Sequence, residues 1–522
     1  MALKIFKILV FLILSSFFLI PNTAAAEGTI NVEWHKVYGT PDVLESGQCA
    51  TQTSDGGYII VGWKADFRVG FSNNIYLVKT DSSGNTIWEK TYSKHKPVDL
   101  YGNYLQQTSD GGYIVVGNIS NSDFDSTDVY LFKIDHNGNM LWEKTFGSSF
   151  YDSGKMVQQT KDEGFIICGN SESVKFDTVT YGNSSLYVIK TNSEGVLEWE
   201  SRFGSSPDKN PNGYSIVQTS DGGYIVVGTK SSKAAGEYDI HPCEISLNKI
   251  DSTGHRLWEK TFDGNTVVTG TSVQQTIDGG FIIAGSTGEG KHWIPSSALL
   301  IKTDANGNKL WENTYSDKLH ADAHSVQQTD DGGYILAGST RESTLLDKPC
   351  SAYIVRTDSD GNKMWEKTID RGTYNYVSTI EITTDGGYIL GGVSDWDLYL
   401  IKLKTQDPPI RVFINNKKVR FDTIPYIKDG RTMVPLRSIA EALGAKVNWD
   451  SGAQTITLTK EGMNVRLTIS NPQAYINSDS VQLDAPAEIV DSRTFVPLRF
   501  IGEAFKAEVK WDNNIKAVQI KS

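Results

Sequence analysis

The sequence predicts an all-β seven-bladed β-propeller followed by a small α+β tail built as a tandem repeat, and three observations predict it. A turn of the form D-G/E-G-Y/F returns at Asp55, Asp110, Asp162, Asp221, Asp278, Asp331 and Asp385, at spacings of 55, 52, 59, 57, 53 and 54 residues. A segment of Trp, a charged pair and an aromatic, first complete as "TIWEKTY" (86–92), closes the units. Finally, "DGRTMVPLRSIAEALGAKVNWD" (429–450) is answered by "DSRTFVPLRFIGEAFKAEVKWD" (491–512). Repeats at this period cannot bury their apolar faces alone and must stack on their neighbours.

The chain opens "MALKIFKILVFLILSSFFLIPNTAAAEG". Lys4 and Lys7 precede an apolar run to Ile20 and the small-residue site Ala24–Ala26, the pattern of a signal peptide over 1–26 with maturation near Glu27. The run is short for a bilayer span, and no Cys follows the cleavage site to take a lipid. The expected location is therefore secreted or cell-surface associated, without a transmembrane segment after cleavage. The four cysteines, Cys49, Cys168, Cys243 and Cys350, show no CxxC spacing and fall in separate repeats, so no bridge is assigned. Cys168, inside "FIICG", reads as a buried thiol. The net charge of −12 is unevenly shared. Residues 410–522 carry 16 Lys+Arg against 12 Asp+Glu, and residues 27–409 carry 32 against 50. An acidic body on a mildly basic tail argues against a nucleic-acid partner.

Within each repeat a "SVQQT"-like strand precedes the turn and an apolar strand such as "YIIVG" follows it. A variable loop then leads to "YLVKTD", a tight "SSGN" turn and the "WEKTY" strand. Four short strands per unit define a propeller blade. Trp88, Trp142, Trp199, Trp258, Trp311 and Trp365 supply six fourth strands, and the last unit stops after three. Trp34, in "NVEWHKVYGT", supplies the seventh, so residues 32–38 are expected to close a ring spanning 27–404 by pairing with the last blade. In D/N-x-x-G-x-x-x-W, as in Asp81 to Trp88, the acid caps the turn, Gly takes positive φ and the indole wedges between blades. Over residues 30–404 this resembles the tryptophan-docking repeat of quinoprotein-type propellers. Quinoprotein dehydrogenases bind a quinone cofactor and Ca²⁺ and usually carry adjacent cysteines. This chain has no adjacent cysteines, so the resemblance implies an architecture, and no cofactor is expected.

Other motifs weigh against chemistry in the ring. The T-x-D-x-G turn, as in Thr53-Asp55-Gly57, looks like half of the sialidase Asp-box but lacks its closing aromatic. His320 and His324 stand four apart in "LHADAHS", in a loop and without an HExxH glutamate, so no metal is expected. "DSDGN" (358–362) spaces oxygens as a Ca²⁺ loop does, yet its sisters "DSSGN" and "DANGN" read as hairpins. Loop diversity points to binding instead. The first-to-second and third-to-fourth turns are tight and alike, whereas the other loops are long and unlike, and strand alternation puts those on one end of the ring. Five residues before each first-strand Thr, at the expected mouth of the central channel, stand Gln48, Asn103, Lys155, Tyr214, Thr271, His324 and Ser378. Gly precedes five of them, as a tight turn into the inner strand would require. Gln48, Asn103, Lys155, Tyr214 and His324 are the central ligand-binding candidates, with Trp63, Trp293 and Trp396 as outer stacking candidates.

After a linker at 405–409, residues 410–522 form the tail in two copies, about 410–460 and 472–522. In each, the VPLR segment leads into an amphipathic helix and a strand ending at Trp449 or Trp511. These residues resemble the copper amine oxidase N-terminal-like, or stalk, domain. Copy two departs where Ser492 replaces Gly430 and Lys506 replaces Gly444, changes expected to alter local turn geometry. Amine oxidase catalysis resides in a different domain with copper-binding histidines and a tyrosine-derived quinone. The tail has no histidine, and "GTYNYV" lacks the quinone-precursor pattern. Arg431, Arg437, Arg493 and Arg499 are expected to brace the fold, or alternatively to meet anionic wall polymer. The sequence therefore predicts an exported, non-catalytic binding protein. Its propeller face would recognise a glycan or protein ligand, and its tail would associate with the cell envelope or an envelope protein. Two alternatives stay open: a glycan-active hydrolase or lyase with acids in the loops, and a protein-assembly scaffold.

Overall fold

A computed structural model describes residues 30–521 apart from 41–42, 66–71, 95–97, 121–125, 149, 173–183, 205–208, 233–242, 263–266, 289–294, 317–319, 343–348, 371–373, 406–409, 416, 422, 491–492 and 513–516. Residues 1–26, expected to be a signal peptide, most of the linker and Trp293 lie outside the described residues.

Residues 30–405 form seven antiparallel sheets among the described residues, six of them running in sequence order from the first strand outwards. The second and third strands are buried along nearly their whole length, as in Tyr58–Ala65 and Asn73–Thr80. The fourth strands, such as Thr86–Tyr92, alternate exposed and half-buried. Continuous apolar runs therefore sit mid-sheet and the charged "WEKT" runs face water. The last sheet takes its outer strand from the start of the chain: Ile30–Tyr38 pairs antiparallel with Asp397–Thr405. Apolar clusters join each sheet to the next. The one containing Tyr38, Tyr58, Ile60, Ile389 and Leu400 joins the last sheet to the first, which closes the ring and makes the fold a β-propeller.

Three repeated devices lock the sheets. Six of the seven outer-strand indoles meet an aromatic of the following sheet, as Trp34 meets Tyr58 at 5.5 Å and Trp199 meets Tyr224 at 5.9 Å. The positive-φ turn glycine lies beneath that indole, and a Cβ on Gly84 would stand 2.9 Å from Trp34. Under the other turn, a buried cation from the third strand reaches the turn acid: Lys79 to Asp55 at 2.9 Å, Lys133 to Asp110 at 2.6 Å, and Arg356 to Asp331 in the sixth sheet. Burial pushes the Asp110 carboxyl up, but Lys133, Thr108 and the Gly112 N–H outweigh it and hold it at about 2. Third, the paired glutamines of "QQT" work in opposite directions. Gln106 accepts from the Gln159 N–H of the following sheet at 2.6 Å, and Gln107 accepts from the Ser54 N–H of the preceding one at 2.7 Å.

The tail contributes helices α1 (Leu436–Ala442) and α2 (Leu498–Ala504), each starting directly after a proline. Both copies feed one core that includes Leu436, Ile439, Leu458, Leu498 and Ile501. Strands Arg431–Pro435 and Arg493–Pro497 pair antiparallel with Val434 opposite Val496. These are equivalent residues of the repeat, so a pseudo-two-fold axis passes between them. Lys506 keeps φ +59 where Gly444 has +82, and both helices end with the same 6→1 bond, Ala445 N–H to Ala440 and Ala507 N–H to Gly502. The expected change of turn geometry at Lys506 does not occur. Position 492 lies outside the described residues.

The tail rests on the uniform-turn end of the ring. Arg411 is 2% exposed and donates to the carbonyls of Thr383 and Thr384, and Lys418 pairs with Asp330 at 2.6 Å. Among the described residues no helix is long and apolar enough to cross a membrane.

Candidate functional site

The site is built from one irregularity repeated round the ring. In six sheets the first strand carries one extra residue relative to the second, and that residue is Gln48, Asn103, Lys155, Tyr214, Thr271 or Ser378. In the sixth sheet the strand breaks between His320–Ala321 and Ser325–Gln328, and three residues ending at His324 face two. A bulge lifts its extra residue out of the ladder and re-aims the side chain. All seven side chains line one central cavity of about 540 Å³.

The glycines before the bulge have a different cause from the one the sequence suggested. None of Gly47, Gly102, Gly154, Gly213 and Gly270 has positive φ. They are small because the neighbouring sheet lies against them: a Cβ on Gly47 would stand 2.3 Å from the Gly392 carbonyl, and one on Gly213 2.3 Å from Leu186.

Several cavity groups are already engaged. Asn103 Nδ2 donates to Gly154 at 2.6 Å, Thr271 Oγ1 to Ala323 at 2.8 Å, and Gln48 Nε2 to Ser46 at 3.0 Å. His324 Nδ1 lies 3.2 Å from the Tyr376 hydroxyl, and its Nε2 is 3.0 Å from Asp322 Oδ1, off hydrogen-bond alignment. Two groups are not engaged. Lys155 has no hydrogen-bond or ion-pair partner among the described residues, and burial pulls its ammonium below the usual lysine range. Ser378 Oγ is buried without a partner. Deeper in the cavity, Glu381 takes the place that glutamines hold in four other sheets, accepting from Thr51 Oγ1 and Gln52 N–H, both at 2.7 Å. Burial raises its carboxyl despite those bonds. Sequence reading passed over Glu381; the signal was its departure from the "QQT" pattern.

The outer candidates separate. Trp63 belongs to strand Tyr58–Ala65 and meets Tyr101 of the next sheet edge-on at 5.8 Å, so it helps hold two sheets together and is not a loop residue. Trp396 is 56% exposed at the tip of a two-residue hairpin, with φ +47 at Asp395 and +72 at Trp396. Its ring stacks parallel on Tyr374 at 5.8 Å. A bulky residue at positive φ is strained, and here it presents a flat aromatic pair to solvent. All four cysteines are buried and unbridged, and burial pushes the Cys49 thiol up to about 12. No group of three or more metal-ligating side chains occurs among the described residues.

Comparison with known proteins concerns the tail first. Residues 413–520 match the copper amine oxidase N-terminal domain family. A primary amine oxidase of Klebsiella aerogenes is 33% identical to this chain over 75 residues, which are 14% of this chain and 10% of that protein. The chain thus matches a tenth of that relative's length. Among solved structures, polysaccharide lyase Uly1 gives a TM-score of 0.44 at 10% identity, over 71% of this chain and 92% of that one. An α-L-arabinanase of Penicillium chrysogenum gives 0.40 at 11%, over 72% and 98%. The β-propeller domain of the trilobed protease from Pyrococcus furiosus gives 0.38 at 12%, over 72% and 97%.

Proposed function

We propose that residues 30–405 form a seven-bladed propeller whose central cavity binds a glycan or protein ligand without transforming it, in an exported protein whose tail associates with the cell envelope. One observation carries the reading: seven unlike side chains are bulged into one cavity, and the cation among them, Lys155, has no partner there. The Lys155 ammonium is half-buried and partly desolvated in the cavity, and an acceptor there would offset that cost, so the ligand would present a carboxylate, carbonyl or hydroxyl oxygen to Lys155. The exposed Trp396–Tyr374 pair would stack on a flat or apolar face of the same ligand. The tail supports access from the loop end, because it leans on the opposite end through Arg411. The cavity lining holds one carboxylate among the described residues, Glu381, whereas glycoside hydrolysis uses two.

The test is a glycan and peptide array with the whole mature chain, followed by calorimetry on the hit. Lys155→Met and Tyr214→Ala should each weaken binding by about 1–3 kcal/mol with little change in melting temperature. Unchanged affinity in both, or ligand protection of the uniform-turn end from hydrogen exchange, would overturn the site. Turnover of the bound glycan would hand the site to the enzyme alternative.

A further inference from the structure

The four tail arginines, Arg431, Arg437, Arg493 and Arg499, are all exposed, and Arg431 also donates to the Asp429 carbonyl of its own hairpin at 2.6 Å. They are sorted in pairs. One groove of about 660 Å³ is lined by Pro435, Arg437 and Trp449 of copy one together with Ile489 and Arg493 of copy two. The other, of about 550 Å³, is lined by Pro497, Arg499 and Trp511 of copy two together with Ile427 and Arg431 of copy one. Nine lining residues of each groove are repeat equivalents of nine in the other; Gly430 and Asp484 of the Trp511 groove, and Ile277, Arg420, Ser438 and Glu441 of the Trp449 groove, have no counterpart there. The pseudo-two-fold pairing of Val434 with Val496 carries each copy's arginine hairpin across to the other copy's Trp strand, so neither groove exists in a single copy. Both expose apolar surface that a packed core would hide: Trp449 39%, Trp511 41%, Ile427 60% and Ile489 49%.

Charge selects the occupant. The Trp511 groove has Arg431 and Arg499 against Asp484, which lies 3.8 Å from Arg431 Nε. The Trp449 groove has Arg420, Arg437 and Arg493 against Glu441, 3.9 Å from Arg437 Nε. Both ion pairs are long and exposed and hold their arginines weakly. An indole face beside paired guanidinium groups suits a pyranose ring bearing a carboxylate: the ring stacks on Trp, and Arg takes the carboxylate in its planar fork. Two equal sites suit a ligand that repeats.

We infer that the tail carries two equivalent binding grooves for an acidic, uronate-type polysaccharide, one at Trp449 and one at Trp511. This rests on the reading of the tail as the envelope-associating part and names the chemistry it holds. The grooves are not identical in the whole chain, because Ile277 of the ring closes one side of the Trp449 groove. Occupying both grooves of one chain gives avidity without new contacts.

The experiment is calorimetric titration of the full mature chain with short oligogalacturonate at low ionic strength. Two sites per chain are expected, with affinity falling as salt is raised. The double variant Trp511→Ala/Arg499→Gln should leave one site, as should Trp449→Ala/Arg437→Gln, with melting temperatures near the parent's. Lys155→Met should bind oligogalacturonate as the parent does, and losing both sites in that variant would move the binding to the channel. Absence of binding, two sites surviving in both double variants, equal binding of a neutral polysaccharide, or preference for polyglutamate would each overturn the inference. The last outcome would make the grooves acidic-peptide sites. The Lys155→Met arm keeps the two readings apart: loss of binding there assigns the oligogalacturonate to the channel, and loss of one site in each tail variant assigns it to the grooves.

Discussion

The ring and the tail are both built from repeats, and both close by bringing their first strand to their last. Ile30–Tyr38 pairs antiparallel with Asp397–Thr405, and Arg411–Ile414 pairs parallel with Ala517–Lys521. They differ in where the core lies. In the ring each apolar cluster lies between two neighbouring sheets, so every interface has its own core. In the tail one core draws on both copies. Serial repeats can vary one residue per sheet without disturbing the others, and seven unlike channel residues are the result. Fused repeats must stay matched, and two matching grooves are the result.

The largest effects should come from opening the closures. Deleting 27–40 removes the buried Ile30 and Tyr38 and bares a strand edge. The ring transition should fall by more than about 10 °C or give way to aggregation, since each such side chain is worth about 1.5–3 kcal/mol. Truncation after Asp512 should abolish the tail transition altogether while the ring still melts cooperatively. Calorimetry that shows the parental profile for the first, or a surviving tail transition for the second, would break the comparison.

Arg411→Met tests the joint. It leaves the Thr384 carbonyl without its arginine donor, while Thr383 keeps the Gly386 N–H, a cost of about 1–3 kcal/mol. The ring and tail transitions should separate in temperature. A single unshifted transition would mean that the joint couples nothing.

Glu381→Gln sharpens the ring side by restoring the side chain that four sister sheets use. Burial raises the folded carboxyl, so the unfolded chain ionises first as pH rises above the ordinary value of 4.5. Stability contributed by the protonated form is then lost as pH climbs through the folded value. The variant should melt higher than the parent at neutral pH and equally at low pH. A parent that gains stability over the same rise relative to the variant would reverse the sign.

The smallest effect concerns matching in the tail. Lys506→Gly gives copy two the residue that copy one has at the same left-handed position, and should stabilise by about 0.5–1 kcal/mol. A loss of that size in urea unfolding would show that the Lys506 side chain contributes more than its backbone costs.

The sequence by itself determined the strand order of the ring and the internal duplication of the tail. Those features are local: a turn acid, a positive-φ glycine such as Gly84 and an indole at a fixed offset repeat because each unit needs the same turn and wedge. The unpaired opening strand around Trp34 was legible for the same reason, since a missing fourth strand can be counted. The sequence also marked the position of Lys155 and its six counterparts, but gave the wrong reason for the preceding glycines. Crowding by the next sheet is a relation between residues such as Gly47 and Gly392, hundreds of positions apart. Trp63 was misread likewise, because whether an indole stacks on a ligand or on Tyr101 depends on which sheet arrives beside it. Tertiary structure alone decided the rest. Glu381 became a buried carboxylate only when Thr51 and Gln52 closed over it from the first sheet. Arg431 came to face Arg499 only because Val434 meets Val496. Period and turn chemistry are written along the chain, whereas close approach and burial are set by which distant strands share an interface.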